Sequence, residues 1–144
     1  MKEDKYDCLR LDRQLCFPLY ACAKEIVRKY KPFLDEIDLT YTQYIAMMAL
    51  WEKDCLSVKE LGEKIFLDSG TLTPMLKTME KKGLLTRERD HKDERNLVVS
   101  LTEDGKKLKE RAVEIPARMG GCIKMDPKDA DDLYRILHTM MNEF

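Results

Sequence analysis

Five cysteines, at positions 8, 16, 22, 55 and 122, are the residues of this 144-residue chain best suited to redox chemistry. Their number is odd, no Cys-x-x-Cys spacing occurs, and only His91 and His138 could join them, so neither a zinc site nor a bound cofactor is expected. Cys16 is distinguished by its setting, Leu15-Cys16-Phe17-Pro18. Pro18 either kinks a helix running from Leu11 to Tyr30 or lies in the first turn of one starting near Gln14. In the second arrangement Cys16 sits at a helix N-terminus, where unpaired N–H groups and the helix dipole favour a thiolate. Against this stands the ordinary behaviour of cysteine in an apolar helix, which is that of an inert small hydrophobe.

A second group of residues is suited to reading nucleic acid. At about 100° per residue, Gly70, Thr73, Pro74, Lys77 and Lys81 fall on one helical face, away from the stripe Leu72, Met75, Leu76 and Met79. Threonine can touch a base edge or a thymine methyl, and lysine can reach a guanine or a phosphate. Pro74 is tolerable only near the helix start, the end that usually meets the bases in a helix-turn-helix.

Other elements must hold that face in place. Ser57 with Glu60 is a capping-box pattern that opens a helix carrying Val58, Leu61 and Ile65. Phe66 to Gly70 forms the turn, and Gly83 closes the second helix after Lys81-Lys82. Leu84 to Glu88 and Leu97 to Leu101 read as two strands around a charged tip, Arg89 to Asn96. Such a hairpin is a wing, from which Arg87, Arg89, Lys92 and Arg95 can follow phosphates or enter a minor groove. Thr102 caps the next helix. A lone helix with lysines opposite an apolar stripe is most often a solvated surface helix. The full order of helix, turn, helix, glycine and charged hairpin is more specific, and it points to DNA.

The rest of the chain supplies scaffolding. Residues 1–10 are polar and expected to fray. Leu19, Ala23, Ile26, Val27 and Tyr30 share one face of the first helix, which Pro32 follows. Thr40 with Gln43 is a second capping box, opening a helix through Trp51 that buries Tyr44, Ile45, Met48 and Ala49. A long helix with Leu108, Ala112 and Ile115 comes after Gly105, kinked at Pro116 and weakened at Gly120-Gly121. Asp126-Pro127 is an N-cap and N1 pair for a last helix striped with Ala130, Leu133, Leu137, Met140 and Met141. These terminal helices are more apolar than one small winged helix needs, so a homodimer is expected, presenting two recognition helices to a two-fold operator.

Composition sets bounds. Hydrophobic residues are 44% and charged residues 37%, with a net charge of -1, which argues against a general nucleic-acid coat. From Gly70 to Arg95 there are seven Lys/Arg and five Asp/Glu, so arrangement supports DNA binding more than composition does. With no long apolar run and no signal-like start, a cytoplasmic protein with mostly reduced thiols is expected.

Asp93-Glu94-Arg95 and Val99-Ser100-Leu101-Thr102-Glu103-Asp104-Gly105 resemble the wing signature of the MarR family of winged-helix transcription regulators. Asp68-Ser69-Gly70-Thr71-Leu72-Thr73-Pro74-Met75-Leu76 resembles the recognition helix of its branch of organic hydroperoxide resistance repressors. Leu11-Asp12-Arg13-Gln14-Leu15-Cys16-Phe17 and Leu19-Tyr20-Ala21 resemble that branch's sensor stretch, and Tyr30-Lys31-Pro32 and Thr40-Tyr41-x-Gln43-Tyr44 also match. The resemblance covers roughly residues 11 to 115.

It implies a mainly α fold with a small β-hairpin wing, in a single subunit spanning 1–144. Residues 39–105 would form the winged helix-turn-helix, and 1–38 and 106–144 the dimerisation helices. DNA contacts would come from Ser69, Gly70, Thr71, Thr73, Pro74, Lys77 and Lys81, and from Arg87, Arg89, Lys92, Asp93 and Arg95 of the wing. Cys16 would be the redox sensor, with Tyr30 and Tyr41 of the other subunit hydrogen-bonding its thiolate and Tyr20 a third partner. Cys122 would be the resolving thiol, joined to Cys16 of the partner; if it is only structural, a small-molecule thiol takes that part, and Cys22 is a local rival.

The implied protein is a homodimeric repressor rather than an enzyme. It leaves a pseudo-palindromic operator when an organic hydroperoxide oxidises Cys16. The rival readings are a repressor released by a bound aromatic or phenolic compound and, from another class, a thiol peroxidase.

Overall fold

The computed structural model describes residues 4–144. The expected frayed start lies partly on residues 1–3, outside the described residues. Beyond residue 3 the chain is not frayed: Asp7–Leu9 and Leu11–Arg13 form two 3-10 turns. Arg13 pairs with Asp7, Arg10 with Asp12, and the Gln14 side chain donates to the carbonyls of Cys8 at 2.6 Å and Arg10 at 3.0 Å. The described residues divide into two compact units, one running through Val113 and the other starting at Glu114.

In the first unit, helix α1 spans Cys16–Asp35, so it starts later than Leu11 and ends beyond Tyr30. Of the two arrangements open for Pro18, the structure takes the one that puts it in the first turn. Pro32 lies inside α1 rather than after it. Its missing N–H orphans one carbonyl, while the extra turn carries Leu34 into the core beside Ile37 and Leu39, and each such burial contributes about 1.5–3 kcal/mol.

Helix α2, Tyr41–Glu52, opens on the expected capping box of Thr40 and Gln43. It buries Gln43, Tyr44, Ala46, Met47, Ala49 and Leu50, while Ile45 and Met48 are only half-buried. One apolar stripe underdescribes it because α1 and two later helices pack around it. Strand β1, Leu56–Ser57, then leads into helix α3, Val58–Ile65, through the Ser57–Glu60 capping box. β1 is too short to leave a periodic signature, and sequence reading did not find it.

Helix α4, Ser69–Lys81, is capped by Asp68, whose carboxylate accepts from the Thr71 N–H at 2.8 Å. Leu72, Leu76 and Met79 are fully buried and Met75 is half-buried. Since α4 begins at Ser69, Pro74 is its sixth residue, deeper than the first turn, and the Gly70 carbonyl has no backbone N–H to accept from there. The helix ends in a Schellman motif. Gly83 takes φ +76°, its N–H donates to the Glu80 carbonyl at 2.9 Å, and the Leu84 N–H donates to the Met79 carbonyl at 3.1 Å.

Strands β2, Leu85–Arg89, and β3, Leu97–Leu101, pair antiparallel from Leu85 opposite Leu101 to Arg89 opposite Leu97. On the other edge of β3, Leu56 lies opposite Val99, giving a three-stranded sheet in the order β1-β3-β2. Helix α5, Glu103–Ala112, starts at the expected Thr102 cap.

The long helix expected after Gly105 is two helices. α5 stops at Ala112, and in the second unit α6 runs Ile115–Gly120 with Pro116 in its first turn. Proline cannot donate back to the Ala112 carbonyl, which favours a break here over a kink. Helix α7, Pro127–Met141, starts at the Asp126 cap as expected. None of its residues is buried within one chain, and Leu133, Tyr134, Ile136 and Met141 are exposed.

Candidate functional site

Two sets of residues converge on surfaces of the first unit. On α4 the buried side is Leu72, Leu76 and Met79, so the opposite side faces out. Ser69, Gly70, Thr71, Pro74, Lys77 and Lys81 are exposed there, and Thr73 is half-buried. Asp68 holds the first turn. Its carboxyl lies below the usual range because it accepts first from the Thr71 backbone, so the cap is charged at neutral pH. The result is a pre-formed helix end carrying hydroxyls and lysines, with its acidic group engaged by its own backbone.

The wing is built less loosely than its charge suggests. Asp90 and Asp93 shape the tip: Lys92 N–H donates to Asp90 at 2.9 Å, and Arg95 reaches Asp93 through its N–H at 3.2 Å and its guanidinium at 3.0 and 3.1 Å. The Arg95 guanidinium, ahead of its backbone N–H, holds the Asp93 carboxyl below its ordinary value. Arg89 donates to the Glu94 carbonyl at 2.8 Å. Arg87 is turned inward. Its backbone N–H meets Glu80 Oε1 at 2.9 Å, its guanidinium meets Oε2 at 3.0 and 3.2 Å, and its side chain is only 17% accessible. Arg87 therefore locks β2 to α4 in this structure, while Arg89, Lys92 and Arg95 are exposed. The seven-residue spacing from Glu80 to Arg87 crosses a helix end and a turn, so no periodicity announced the pair.

The thiol site is at the other end of α1. Cys16 is the first residue of the helix and is exposed, as are Cys8, Cys22, Cys55 and Cys122. Tyr20, one turn on, is also exposed. Tyr30 and Tyr41 do come together, with ring centroids 5.0 Å apart, and Tyr44 joins them at 5.9 and 6.4 Å, a member of the cluster that sequence reading used only as core. Tyr30 lies fourteen helical positions after Cys16, about 21 Å along α1 at ~1.5 Å per residue. One chain cannot bring its own Tyr30 to its own Cys16.

Burial pushes all three phenols above their ordinary value, with mutual repulsion of the would-be phenolates adding to it at Tyr30 and Tyr44. At neutral pH they are hydrogen-bond donors, the form needed to stabilise a thiolate. The same shift sets a pH dependence. Above the ordinary phenol value of about 10 the unfolded chain releases these protons before the folded one does. Their contribution is fully present below pH ~10 and falls as the pH rises past it. Thermal melts taken across that range are expected to decline more steeply for the wild type than for Tyr41→Phe, which cannot ionise at that ring.

Among the described residues no cluster of three or more His, Cys, Asp or Glu is arranged to hold a metal ion, and no helix is long and apolar enough to cross a membrane. An open groove of about 250 Å³ runs along Val27, Arg28, Lys31, Leu34, Leu39 and Tyr41.

Comparison with known proteins agrees with this geometry. Residues 28–112 match the family described as Transcriptional regulator SarA/Rot. The organic hydroperoxide resistance transcriptional regulator of Bacillus subtilis (strain 168) is 50% identical over 139 residues, 96% of this chain and 95% of the relative. The HTH-type transcriptional regulator SarZ of Staphylococcus aureus is 46% identical over 133 residues, covering 92% and 90%. Among solved structures, AbfR, known from Staphylococcus epidermidis, matches in several states, including an overoxidized form bound to DNA with a TM-score of 0.79 at 31% identity over 97% of this chain and 98% of that one. Reduced AbfR bound to DNA has a TM-score of 0.79 at 31% identity over 96% of each chain. Disulfide-formed AbfR has a TM-score of 0.67 at 32% identity over 95% of this chain and 96% of that one.

Proposed function

The chain belongs to the MarR-type winged-helix transcription regulators, in their organic hydroperoxide resistance branch, and from that premise we propose that it is a cytoplasmic homodimeric repressor whose grip on its operator is broken by oxidation of Cys16. Residues 39–105 act as the DNA-reading region, and 1–38 with 106–144 as the dimerisation helices. Ser69, Gly70, Thr71, Thr73, Pro74, Lys77 and Lys81 face the major groove, and Arg89, Lys92 and Arg95 meet the backbone or the minor groove. Asp93 shapes the tip that presents Arg95, and Arg87 orients the wing through Glu80.

The chemistry is local. The Cys16 thiolate attacks the peroxidic O–O bond of an organic hydroperoxide. An S–O bond forms, the O–O bond breaks, and the alkoxide leaves and takes up a proton. The sulfenic acid then condenses with a thiol, forming a disulfide and water. Cys122 of the partner subunit is the thiol assigned here, with a small-molecule thiol as the alternative resolver.

One observation carries this reading: Cys16 is exposed at the first residue of α1, while Tyr30 lies about 21 Å further along the same helix with Tyr41 of α2 packed against it. The constellation closes only if a second copy supplies Tyr30 and Tyr41, with Tyr20 the local partner. The exposed apolar surfaces of α1 and α7 support such a copy: Phe17, Val27, Leu133, Ile136 and Met141 would otherwise stay in water. That AbfR is solved both reduced on DNA and as a disulfide supports a redox-controlled repressor.

The test is fluorescence anisotropy with operator-length DNA and reduced protein, before and after stoichiometric cumene hydroperoxide, with non-reducing electrophoresis on the same samples. Lost binding with a dimer-sized band is the expected result, and unchanged binding would sink the redox reading. A second reading has one observation in its favour. The groove beside Tyr41 is apolar along Val27, Leu34 and Leu39, a lining that suits a small aromatic or phenolic compound. Release of DNA by such a compound at unchanged thiol content would support it.

A further inference from the structure

Lys82 is the C-cap residue of α4, an exposed residue whose side chain folds back onto the α1–α2 connector. Its ammonium donates to the Asp38 carbonyl at 2.6 Å and to Gln43 Oε1 at 3.4 Å, with the Asp38 carboxylate also at 3.4 Å, and its side chain is 27% accessible. Two of the three are hydrogen bonds, and the carboxylate adds an ion pair. Both partners occupy critical backbone positions. Asp38 sits in the connector between α1 and α2 with φ +53°, a left-handed conformation that aspartate tolerates. It is flanked by buried Ile37 and Leu39, so its carbonyl is held firmly. Gln43 is itself buried, and the same Oε1 accepts from the Thr40 N–H at 3.1 Å within the α2 capping box.

The consequence is a direct link between two surfaces. Asp38 comes just after the helix that carries Cys16 and Tyr30. Gln43 lies between Tyr41 and Tyr44 in the first turn of α2. Lys82 ends the helix whose other end bears Ser69, Thr71 and Thr73. We propose that Lys82 is a positioning residue that couples the thiol-sensing helices to the recognition helix, by clamping the end of α4 to the α1–α2 connector. Any displacement of that connector either draws the end of α4 with it or breaks the clamp. In both cases the state of α1 and α2 biases the orientation of α4, which is what coupling between two sites requires. This rests on the redox reading above.

The experiment uses the full-length dimer, operator-length DNA and stoichiometric cumene hydroperoxide. Its readout is the ratio of operator Kd after oxidation to that before. Lys82→Met keeps the length and removes the charge and the donors. It is expected to lower the wild-type ratio by about fivefold, within the range by which residues on a coupling route act. Lys82→Arg, which restores charged donors, is expected to keep the ratio within about twofold of wild type. Should Lys82→Met fail to fold, Lys82→Gln, a shorter neutral donor, is expected to lower the ratio in the same direction. A lower melting temperature with an unchanged ratio would make Lys82 a purely structural residue and overturn the coupling. Failure of the wild type itself to respond would overturn the redox reading and the coupling together, whereas a responsive wild type with an unchanged variant ratio overturns the coupling alone.

Discussion

Cys16→Ser is expected to bind operator DNA as the reduced wild type does and to show no loss of binding on hydroperoxide treatment. The substitution replaces sulfur by oxygen at nearly constant shape, so the start of α1 is preserved. Cys16 is exposed within one chain, so the stability of the subunit's own fold should change by no more than a surface substitution changes it, about 0.5 kcal/mol or less. The chemistry changes completely. A serine hydroxyl does not ionise near neutral pH and does not attack a peroxide, so the S–O bond that begins the response cannot form. If oxidation in the wild type weakens operator binding by about 5–150-fold, the usual span of such coupling, the ratio in Cys16→Ser should be about one. Cys122→Ser separates the two resolving routes. It should abolish the dimer-sized band, and the response too, if the partner's Cys122 traps the sulfenic acid; an unaltered response would give that part to a small thiol. Hydroperoxide-dependent release that persists in Cys16→Ser would move the sensor to Cys8, Cys22, Cys55 or Cys122.

The parts of this arrangement that sequence reading reached are those written locally. The Thr40–Gln43 and Ser57–Glu60 capping boxes, the Thr102 and Asp126 caps and the Gly83 helix end depend on residues within five positions of each other, and all form as expected. Strand β3 is legible to the residue because it is β-branched and partly alternating. The features that were missed are non-local or too short. β1 has two residues, and its partner Val99 is more than forty positions away. The Glu80–Arg87 lock, the Lys82 clamp and the bond from Trp51 to the backbone of α5 join elements whose approach no periodicity encodes. Proline alone does not decide where these helices end. Pro32 and Pro74 lie inside helices whose apolar faces offset one lost hydrogen bond, whereas Pro116 coincides with a break. For the thiol, residue type and helix position were legible, but the distance to Tyr30 needed the length of α1.

Gly105→Ala is expected to be the most destabilising single-methyl change in the first unit. A Cβ at position 105 would stand 2.0 Å from the Leu84 carbonyl oxygen and 3.0 Å from its carbon, with Leu101 Cδ2 at 3.2 Å. The first two are backbone atoms, so no rotamer change relieves the clash, and the chain entering β2 must move away from α5. That chain is pinned from several sides. The Leu84 carbonyl accepts from the Thr102 N–H at 3.1 Å, the Thr102 hydroxyl donates to the Gly83 carbonyl at 2.6 Å, and the Gly105 carbonyl accepts from the Trp51 indole at 2.9 Å. Moving it therefore strains the Schellman end of α4, the α5 cap and the contact to α2 at once. Overpacking against side chains costs about 1–3 kcal/mol; against a fixed backbone the upper end applies, about 3 kcal/mol. For a chain of this size that corresponds to a fall in Tm of roughly 6–12 °C, read by circular dichroism at fixed protein concentration. A shift under about 2 °C would show that Leu84 yields freely and that the junction is not rigid. Operator affinity should fall along with stability, because the residues displaced join the recognition helix to the wing. Gly62→Ala provides the comparison. Its Cβ would meet the Leu67 carbonyl oxygen at 2.7 Å, a milder clash in the turn before α4, so its Tm should drop less than that of Gly105→Ala.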